Sequence, residues 1–340
     1  MAVITAPFPM TRARRAALVI GVPVCLLLVA YNGLDLVANF GEGHYPVNHT
    51  FPAGAKSLNL NVTGQLTIKP TAASQATLTG TARYSLVRTA LTEHASGGAI
   101  TLGYGCDVPV GDCGLDATVT VPATVTTLTT NSGGGNATVT GTTGPVTLST
   151  GDGDLSVTHA SGPLTLNTAS GSIAVSAIRS KTLSASSGDG SIQVTGVTSA
   201  TAITANTDSG SIDWSGIATT TLTASTGDGD IQAKGVTSHT ITADTDSGSI
   251  DWSGIATDAL IASTGNGNIA IAFTSVPSDV RVNTNSGTIT LLLPPGKTKY
   301  HVTANTDSGT VTDTLPQQQT SSGHVITASS GSGDITIIQQ

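Results

Sequence analysis

The sequence predicts an all-β fold: a β-solenoid (β-helix) of about eleven coils, preceded by a β-rich capping region and one N-terminal transmembrane helix. Two repeats carry the solenoid prediction. The segment Thr207–Thr219 recurs unchanged as Thr245–Thr257. A corner glycine recurs every 18 to 20 residues, with longer intervals only at the end, at Gly135, Gly153, Gly171, Gly190, Gly210, Gly229, Gly248, Gly267, Gly287, Gly309 and Gly333. A period of this length is typical of solenoid proteins.

Apolar residues alternate with polar ones on both sides of each corner glycine. From Gly153 onwards, apolar side chains stand seven and five positions before the glycine and two and four positions after it, with Asp313 as the exception at the last position. Spacing by two is strand patterning. Each coil therefore supplies short strands whose apolar side is covered only when coils stack, at about 4.8 Å per coil. The second corner of each coil is predicted at T-S-x sequences such as Thr237-Ser238.

Three further observations favour stacked coils over a flat sheet. Thr or Ser stands three positions before each corner glycine from Thr150 to Ser330, where a ladder of hydroxyl side chains can form. Trp214, Ala233 and Trp252 alternate large with small, as interdigitated packing requires. Turn sequences also alternate in the middle, which offsets the carboxylates of neighbouring coils.

The N-terminal segment is patterned like a membrane anchor. Residues 1–15, the predicted cytoplasmic tail, contain Arg12, Arg14 and Arg15, and an apolar run follows within the anchor predicted at 16–37. About 20 apolar residues span a bilayer, and positive charges stay on the cytoplasmic side. We therefore expect a single-pass plasma-membrane protein with a cytoplasmic N-terminus and most of the chain outside the cell. A cleaved signal peptide is the alternative, and it would also export the chain after residue 40.

The region between anchor and repeats alternates without the glycine interval. We predict a linker at 38–50 and a β-rich cap, or start of the solenoid, at 51–130, where Leu58–Val62 and Ala117–Val121 show strand patterning. A cap is expected because an open coil leaves backbone groups unpaired. The solenoid repeats then occupy 131–340.

The composition indicates an exported rod that does not bind nucleic acid. Charged residues are 10% of the chain and aromatic residues 3%. After residue 40 there are 10 basic and 20 acidic residues, a net charge of −10. Phosphate binding needs clustered Lys and Arg, so this acidic region excludes nucleic acid as a partner.

Cys106 and Cys113 flank a short turn-forming loop, whereas Cys25 lies in the apolar run. In an oxidising compartment we expect Cys106 and Cys113 to form a disulfide, with a metal site as the alternative.

Aspartates in the glycine corners could offer oxygen ligands to calcium. The candidates are Asp152, Asp154, Asp189, Asp228 and Asp230. Asp-Gly is also the ordinary composition of a tight turn, and we expect no metal or other cofactor.

An enzyme is the remaining chemical alternative. A glycan-processing solenoid needs two carboxylates flanking a bond, and Asp213 and Asp251 would lie two coils apart, about 9.6 Å. Since both belong to a duplicated segment, repetition explains them more simply, and we expect no catalysis.

The chain resembles a family of exported bacterial proteins described as putative adhesins, domains of unknown function expected to form β-solenoids. The resemblance rests on the anchor, the repeated T-x-S-G-S-I motif, and the segments Leu58–Ile68, Val119–Pro122, Leu292–Gly296 and Ala304–Gly309. It implies a cell-surface role and provides no catalytic residues to carry over.

The favoured hypothesis is an adhesin-like or structural ectodomain. It would bind cell-wall or extracellular polymers, glycan or protein, through repeated Thr/Ser/Asp faces. The second hypothesis is an envelope-stress sensor or regulatory ectodomain that acts through a membrane partner. The third is the glycan-processing enzyme.

Overall fold

A computed structural model describes residues 20, 23–24, 42–85, 88–105, 113–315 and 322–340. These residues are almost entirely β-structure in one non-closed sheet, which confirms the all-β class. Among them no helix is long and apolar enough to span a bilayer. The predicted tail at 1–15, and all but three residues of the anchor predicted at 16–37, lie outside the described residues.

Within the described residues the sheet contains 25 strands. In chain order they are β1 Glu42–Thr50, β2 Ser57–Val62, β3 Leu66–Thr71, β4 Thr77–Ser85, β5 Thr92–Ser96, β6 Ala99–Tyr104, β7 Gly114–Pro122, β8 Thr127–Asn131, β9 Ala137–Thr140, β10 Val146–Thr150, β11 Leu155–Thr158, β12 Leu164–Thr168, β13 Ile173–Ile178, β14 Thr182–Ser187, β15 Ile192–Thr207, β16 Ile212–Thr226, β17 Ile231–Thr245, β18 Ile250–Thr264, β19 Ile269–Phe273, β20 Asp279–Thr284, β21 Ile289–Leu293, β22 His301–Ser308, β23 Val311–Asp313, β24 Val325–Ser332 and β25 Ile335–Gln339.

Each coil contributes one arm to each of two parallel ladders. Ladder A contains the arm before the corner glycine and runs through β8, β10, β12, β14 and the second halves of β15 to β18. Ladder B contains the arm after the glycine and runs through β9, β11, β13 and the first halves of β15 to β18. Residues therefore pair one repeat apart, as Leu222 does with Ile241. This register confirms a solenoid-like architecture.

The core lies between the ladders. Its apolar columns are buried, and Trp214, Ala233 and Trp252 are stacked in register with exposed fractions of 5% or less. Burial of each Ile or Leu contributes about 1.5–3 kcal/mol, so the regular columns are the main stabilising term.

Corner glycines are required by the close stacking of the coils. A Cβ on Gly229 would lie 2.0 Å from the carbonyl oxygen of Gly210, and Gly248 meets Gly229 at 1.9 Å in the same way. No other residue fits there without separating the coils.

The predicted hydroxyl ladder forms, but its partners are backbone groups. Thr226 Oγ1 donates to the carbonyl of Gly210 at 2.8 Å and accepts from the N–H of Gly229 at 3.2 Å. The same pair of bonds recurs at Thr150, Thr168, Ser187, Thr207, Thr245 and Thr264. These buried hydroxyls therefore satisfy corner groups that neither ladder reaches.

The second corner bends at a left-handed residue that the sequence reasoning missed. Six residues after the corner glycine, φ is positive at Gly196, Gly216, Gly235 and Gly254, and at the non-glycine residues His159 and Ala177. The expected T-S-x position lies three residues further on, where Ser238 Oγ donates to the carbonyls of Thr220 and Thr240 at 3.0 and 2.9 Å.

The carboxyl-terminal coils do not stack in sequence order. β24 pairs with β20 on one side and β22 on the other, and β25 lies likewise between β21 and β23. The last coil of the chain is therefore inserted, and β22 with β23 forms the end of the stack. Consistent with this position, Val311 is 43% exposed, and Asp313 stands where inner coils carry apolar residues. The C-terminal strand β25 is therefore an inner strand of the stack.

The amino-terminal end is also reordered. The β2–β3 coil lies between the β8–β9 coil and the β6–β7 layer. β1 and β4 then add antiparallel strands beyond β7, and β5 pairs antiparallel with β6. Because Glu42–Thr50 is the strand β1, the linker predicted at 38–50 needs correction. The sequence of β1 did not reveal this strand, because most of its side chains are polar and apolar residues do not alternate clearly with polar ones.

Candidate functional site

Two rows of outward side chains on ladder A form a polar surface, here called the A face. The first row contains Thr129, Thr147, Thr165, Ser184, Thr204, Thr223 and Thr242. The second row, two residues further along each strand, contains Asn131, Ser149, Asn167, Ser186, Asn206, Ser225 and Asp244. In-register pairing places neighbours within a row about 4.8 Å apart.

The outward groups of the A face are available to a ligand. From Thr147 to Asp244, none of the side chains in the two rows hydrogen-bonds to another group of the described residues, whereas the inward Thr226 has two partners. Hydroxyl and amide groups can both donate and accept hydrogen bonds. The A face therefore offers a regular array of unsatisfied donors and acceptors.

The first row of hydroxyl side chains ends after Thr242, where the next two outward residues are apolar and then charged. Ile261 pairs with Thr242 in register and is 46% exposed, and Arg281 follows it, in an ion pair with Asp279 at 2.9 Å. The continuous polar stretch thus covers seven coils, from Thr129 to Asp244.

Two of the five predicted corner aspartates hydrogen-bond to the neighbouring coil. Asp154 Oδ1 accepts from the N–H of Ser172 and Asp230 Oδ1 from that of Ser249, both at 2.8 Å, so each connects one coil to the next. At the far end, hydrogen bonds from the hydroxyl and N–H of Thr310 hold the pKa of Asp334 below its usual range.

Asp152, Asp189 and Asp228 do not converge. They lie exposed in corners two coils apart, about 9.6 Å from one to the next. Within the described ranges, no three His, Cys, Asp or Glu side chains form a group that could hold a metal ion.

The other predicted site residues lie apart from the A face. Cys113 is disulfide-bonded, and its predicted partner Cys106 lies outside the described residues. Asp213 and Asp251 are exposed on ladder B and separated by Gln232 in register.

The cap contains an aromatic and charged cluster that the sequence reasoning missed. Arg88 lies over the ring of Tyr45 at 3.8 Å beside a cavity of about 450 Å³, and His49 pairs with Glu93 at 2.5 Å. Burial, with the neighbouring Tyr45 hydroxyl, raises the pKa of Tyr104 to about 12. Only the concentration of Tyr residues between 45 and 104 hinted at this cluster.

Comparison with known proteins gives a family match. The model of the Toastrack DUF4097 family matches residues 116–215 and 181–338. No curated protein has significant sequence similarity to the chain. This match covers more than half of the chain and confirms the family resemblance seen in the sequence.

Three crystal structures are similar at low identity. A putative adhesin from Bacteroides fragilis is 14% identical, with 73% of this chain and 97% of that chain covered and a TM-score of 0.37. A putative lipid binding protein from Parabacteroides distasonis is 14% identical, with 72% and 96% covered and a TM-score of 0.44. A putative cell adhesion protein from Clostridium sporogenes is 11% identical, with 87% and 100% covered and a TM-score of 0.18.

Proposed function

This chain belongs to the Toastrack DUF4097 family, and we propose that it is an adhesin-like or structural rod that binds an extracellular or cell-wall polymer through the A face. The observation that carries the proposal is the contrast between inward and outward hydroxyls. Inward ones such as Thr226 are satisfied by the backbone, whereas outward ones such as Thr223 make no hydrogen bond to the described protein.

Regular spacing suits a polymer better than a small molecule. A hydrogen bond at the protein surface contributes only about 0.5–1.5 kcal/mol. Seven coils that engage one chain make each later contact intramolecular, so weak contacts add to useful avidity. This role needs no cofactor and no catalytic residue.

In this proposal the rod is displayed outside the cell by a single-pass anchor within 16–37, with residues 1–15 in the cytoplasm. The net charge of −10 after residue 40 supports a neutral or cationic ligand and disfavours nucleic acid.

Binding of the purified full-length chain, in mild detergent, to an array of cell-wall polymers, matrix glycans and matrix proteins tests the proposal. Saturable binding should be lost in Thr204→Lys/Thr242→Lys, which places two large cations on the A face. The matched control is Thr195→Lys/Ser253→Lys on the outward side of ladder B, and it should bind normally. Parallel arms with calcium and with a chelator test the corner aspartates. Absence of binding to every polymer, or equal loss in both variants, would overturn the proposal.

A further inference from the structure

The second row of the A face alternates in size when its members are taken in spatial order. The order, extended to the end of the stack, is Asn131, Ser149, Asn167, Ser186, Asn206, Ser225, Asp244, Ser263, Asn283, Ser329 and Asn305. In sequence order Asn283 and Asn305 would be neighbours. Insertion of β24 between β20 and β22 restores the alternation, so it is a property of the folded stack.

A corner position two residues further along alternates with the same phase. From Ser186 onwards, coils with Ser in the second row carry glycine there, at Gly188, Gly227, Gly265 and Gly331, where a Cβ would meet the carbonyl of the preceding coil at 2.3–2.6 Å. The intervening coils carry larger residues, at Asp208, Asp246, Asn285 and Asp307. Two kinds of coil therefore alternate, and the physical repeat of the rod is two coils, about 9.6 Å.

This repeat gives the A face a corrugated surface. Asn and Asp side chains extend further from the sheet than Ser, so Asn131, Asn167, Asn206 and Asp244 form ridges about 9.6 Å apart beside the flat Thr row. Asn167 and Asn206 are exposed and make no side-chain hydrogen bond within the described residues. The ridges therefore present polar groups at every second coil, with three ridge-to-ridge intervals before Ile261.

We propose, building on the proposed function, that the ligand is a neutral, extended β-1,4-linked polysaccharide lying along the A face with one disaccharide for each pair of coils. Successive sugars in such a chain are turned over, so the groups that face a surface repeat with every second sugar. A disaccharide unit of an extended chain has nearly the length of two coils. Side-chain amides and hydroxyls are the groups that hydrogen-bond sugar hydroxyls.

Charge selects against an anionic chain. Asp244 stands in the second row itself, and Asp208 and Asp246 lie at the corner beside it, all exposed. A polysaccharide with a carboxylate on each repeat would meet like charges along this edge. The three intervals from Asn131 to Asp244 accommodate about six sugars.

Calorimetric titration of the full-length chain in detergent with defined oligosaccharides tests the inference. The probes are β-1,4-linked glucose and N-acetylglucosamine oligomers of two to eight sugars, with α-1,4-linked glucose oligomers as the linkage control. Affinity should rise with each added disaccharide and level off at about six sugars. The α-linked series should not bind.

Two matched variants locate the site. Asn167→Ser/Asn206→Ser removes two ridges and should weaken hexasaccharide binding at least about tenfold, because two amide contacts are lost. Asn305→Ser makes the same change beyond the Ile261–Arg281 break and should leave binding unchanged.

The outcomes separate this inference from the function on which it rests. The disaccharide match would be overturned by affinity that does not depend on the linkage or the length of the oligosaccharide. It would also be overturned by unchanged binding in Asn167→Ser/Asn206→Ser. If no oligosaccharide binds while another polymer on the array is retained by the A face, this inference fails and the proposed function stands. If no polymer binds, both fail.

Discussion

Replacing Thr226 with valine removes one rung of the buried hydroxyl ladder without changing the shape of the side chain. Thr226 is 4% exposed, and its hydroxyl serves two backbone groups, the Gly210 carbonyl at 2.8 Å and the Gly229 N–H at 3.2 Å. In Thr226→Val both groups stay buried without these partners. Each unsatisfied group costs about 1–3 kcal/mol, so for the two groups together we expect a loss of about 2–6 kcal/mol in the free energy of unfolding.

Two substitutions calibrate that loss. Thr226→Ser keeps the hydroxyl and removes one buried methyl group, which costs about 0.8 kcal/mol. Thr223→Val makes the valine change in the same coil, but on the A face, and should alter stability by no more than about 0.5 kcal/mol.

Urea unfolding monitored by tryptophan fluorescence is the appropriate assay. The only tryptophans, Trp214 and Trp252, are buried in the core in coils on either side of the Thr226 rung. They report local unfolding even if the long stack does not unfold in one step. If Thr226→Val proves as stable as Thr223→Val, the hydroxyl ladder does not hold the corners together, and the reasoning is refuted.

Three further predictions test the stack. Gly229→Ala should separate two coils, because its Cβ would lie 2.0 Å from a carbonyl oxygen, and should lower the urea midpoint by more than any exposed substitution; an unchanged midpoint would refute the close approach. Asn283→Cys with Ser329→Cys should form a disulfide on mild oxidation, seen as a loss of two hydrogens in mass that a thiol reductant reverses. Asn283→Cys with Asn305→Cys should not, because those positions are two coils apart; the reverse result would refute the inserted coil. Tyr104 has a folded pKa of about 12 against about 10 unfolded, so the free energy of unfolding should fall as pH rises between these values, and Tyr104→Phe should lessen that fall in urea midpoints.

The repeat determined which features could be predicted from the sequence. The glycine interval and the apolar columns placed the core correctly, because close packing between stacked coils demands the same residue type in every coil. The column of Thr and Ser signalled a ladder. Its partners were not predictable from side-chain identity, because the corner carbonyls that accept from Thr226 and its equivalents exist only once the coils are stacked.

The stacking order of the coils at the two ends was the main structural feature that the sequence repeat did not predict. A period identifies which segments are equivalent but does not say which are neighbours. The alternation of large and small side chains in the second row could have indicated the order. Asn283 and Asn305 are large residues in consecutive repeats, and the alternation is regular only when Ser329 lies between them. Asp313 held another, because a carboxylate at a core position is tolerated only where the stack ends.

The sequence predicted the residue types of the candidate site but not which of those residues form it. Repeated Thr, Ser and Asp side chains were expected to form the binding surface, but the corner aspartates were weighed as ligands when two of them, Asp154 and Asp230, connect adjacent coils. Which side chains remain free depends on which backbone groups the fold leaves unpaired, and that required the structure.

Site-specific fluorescence provides the most direct test that the A face is the binding surface. An environment-sensitive fluorophore is attached at Thr204→Cys on the A face or at Thr195→Cys on ladder B, in a Cys25→Ser background, with the unsubstituted background as labelling control. The label at 204 should change its emission saturably when an envelope preparation or a polymer that binds is added, and the label at 195 should not. A response at 195 alone, or equal responses at both positions, would contradict the account.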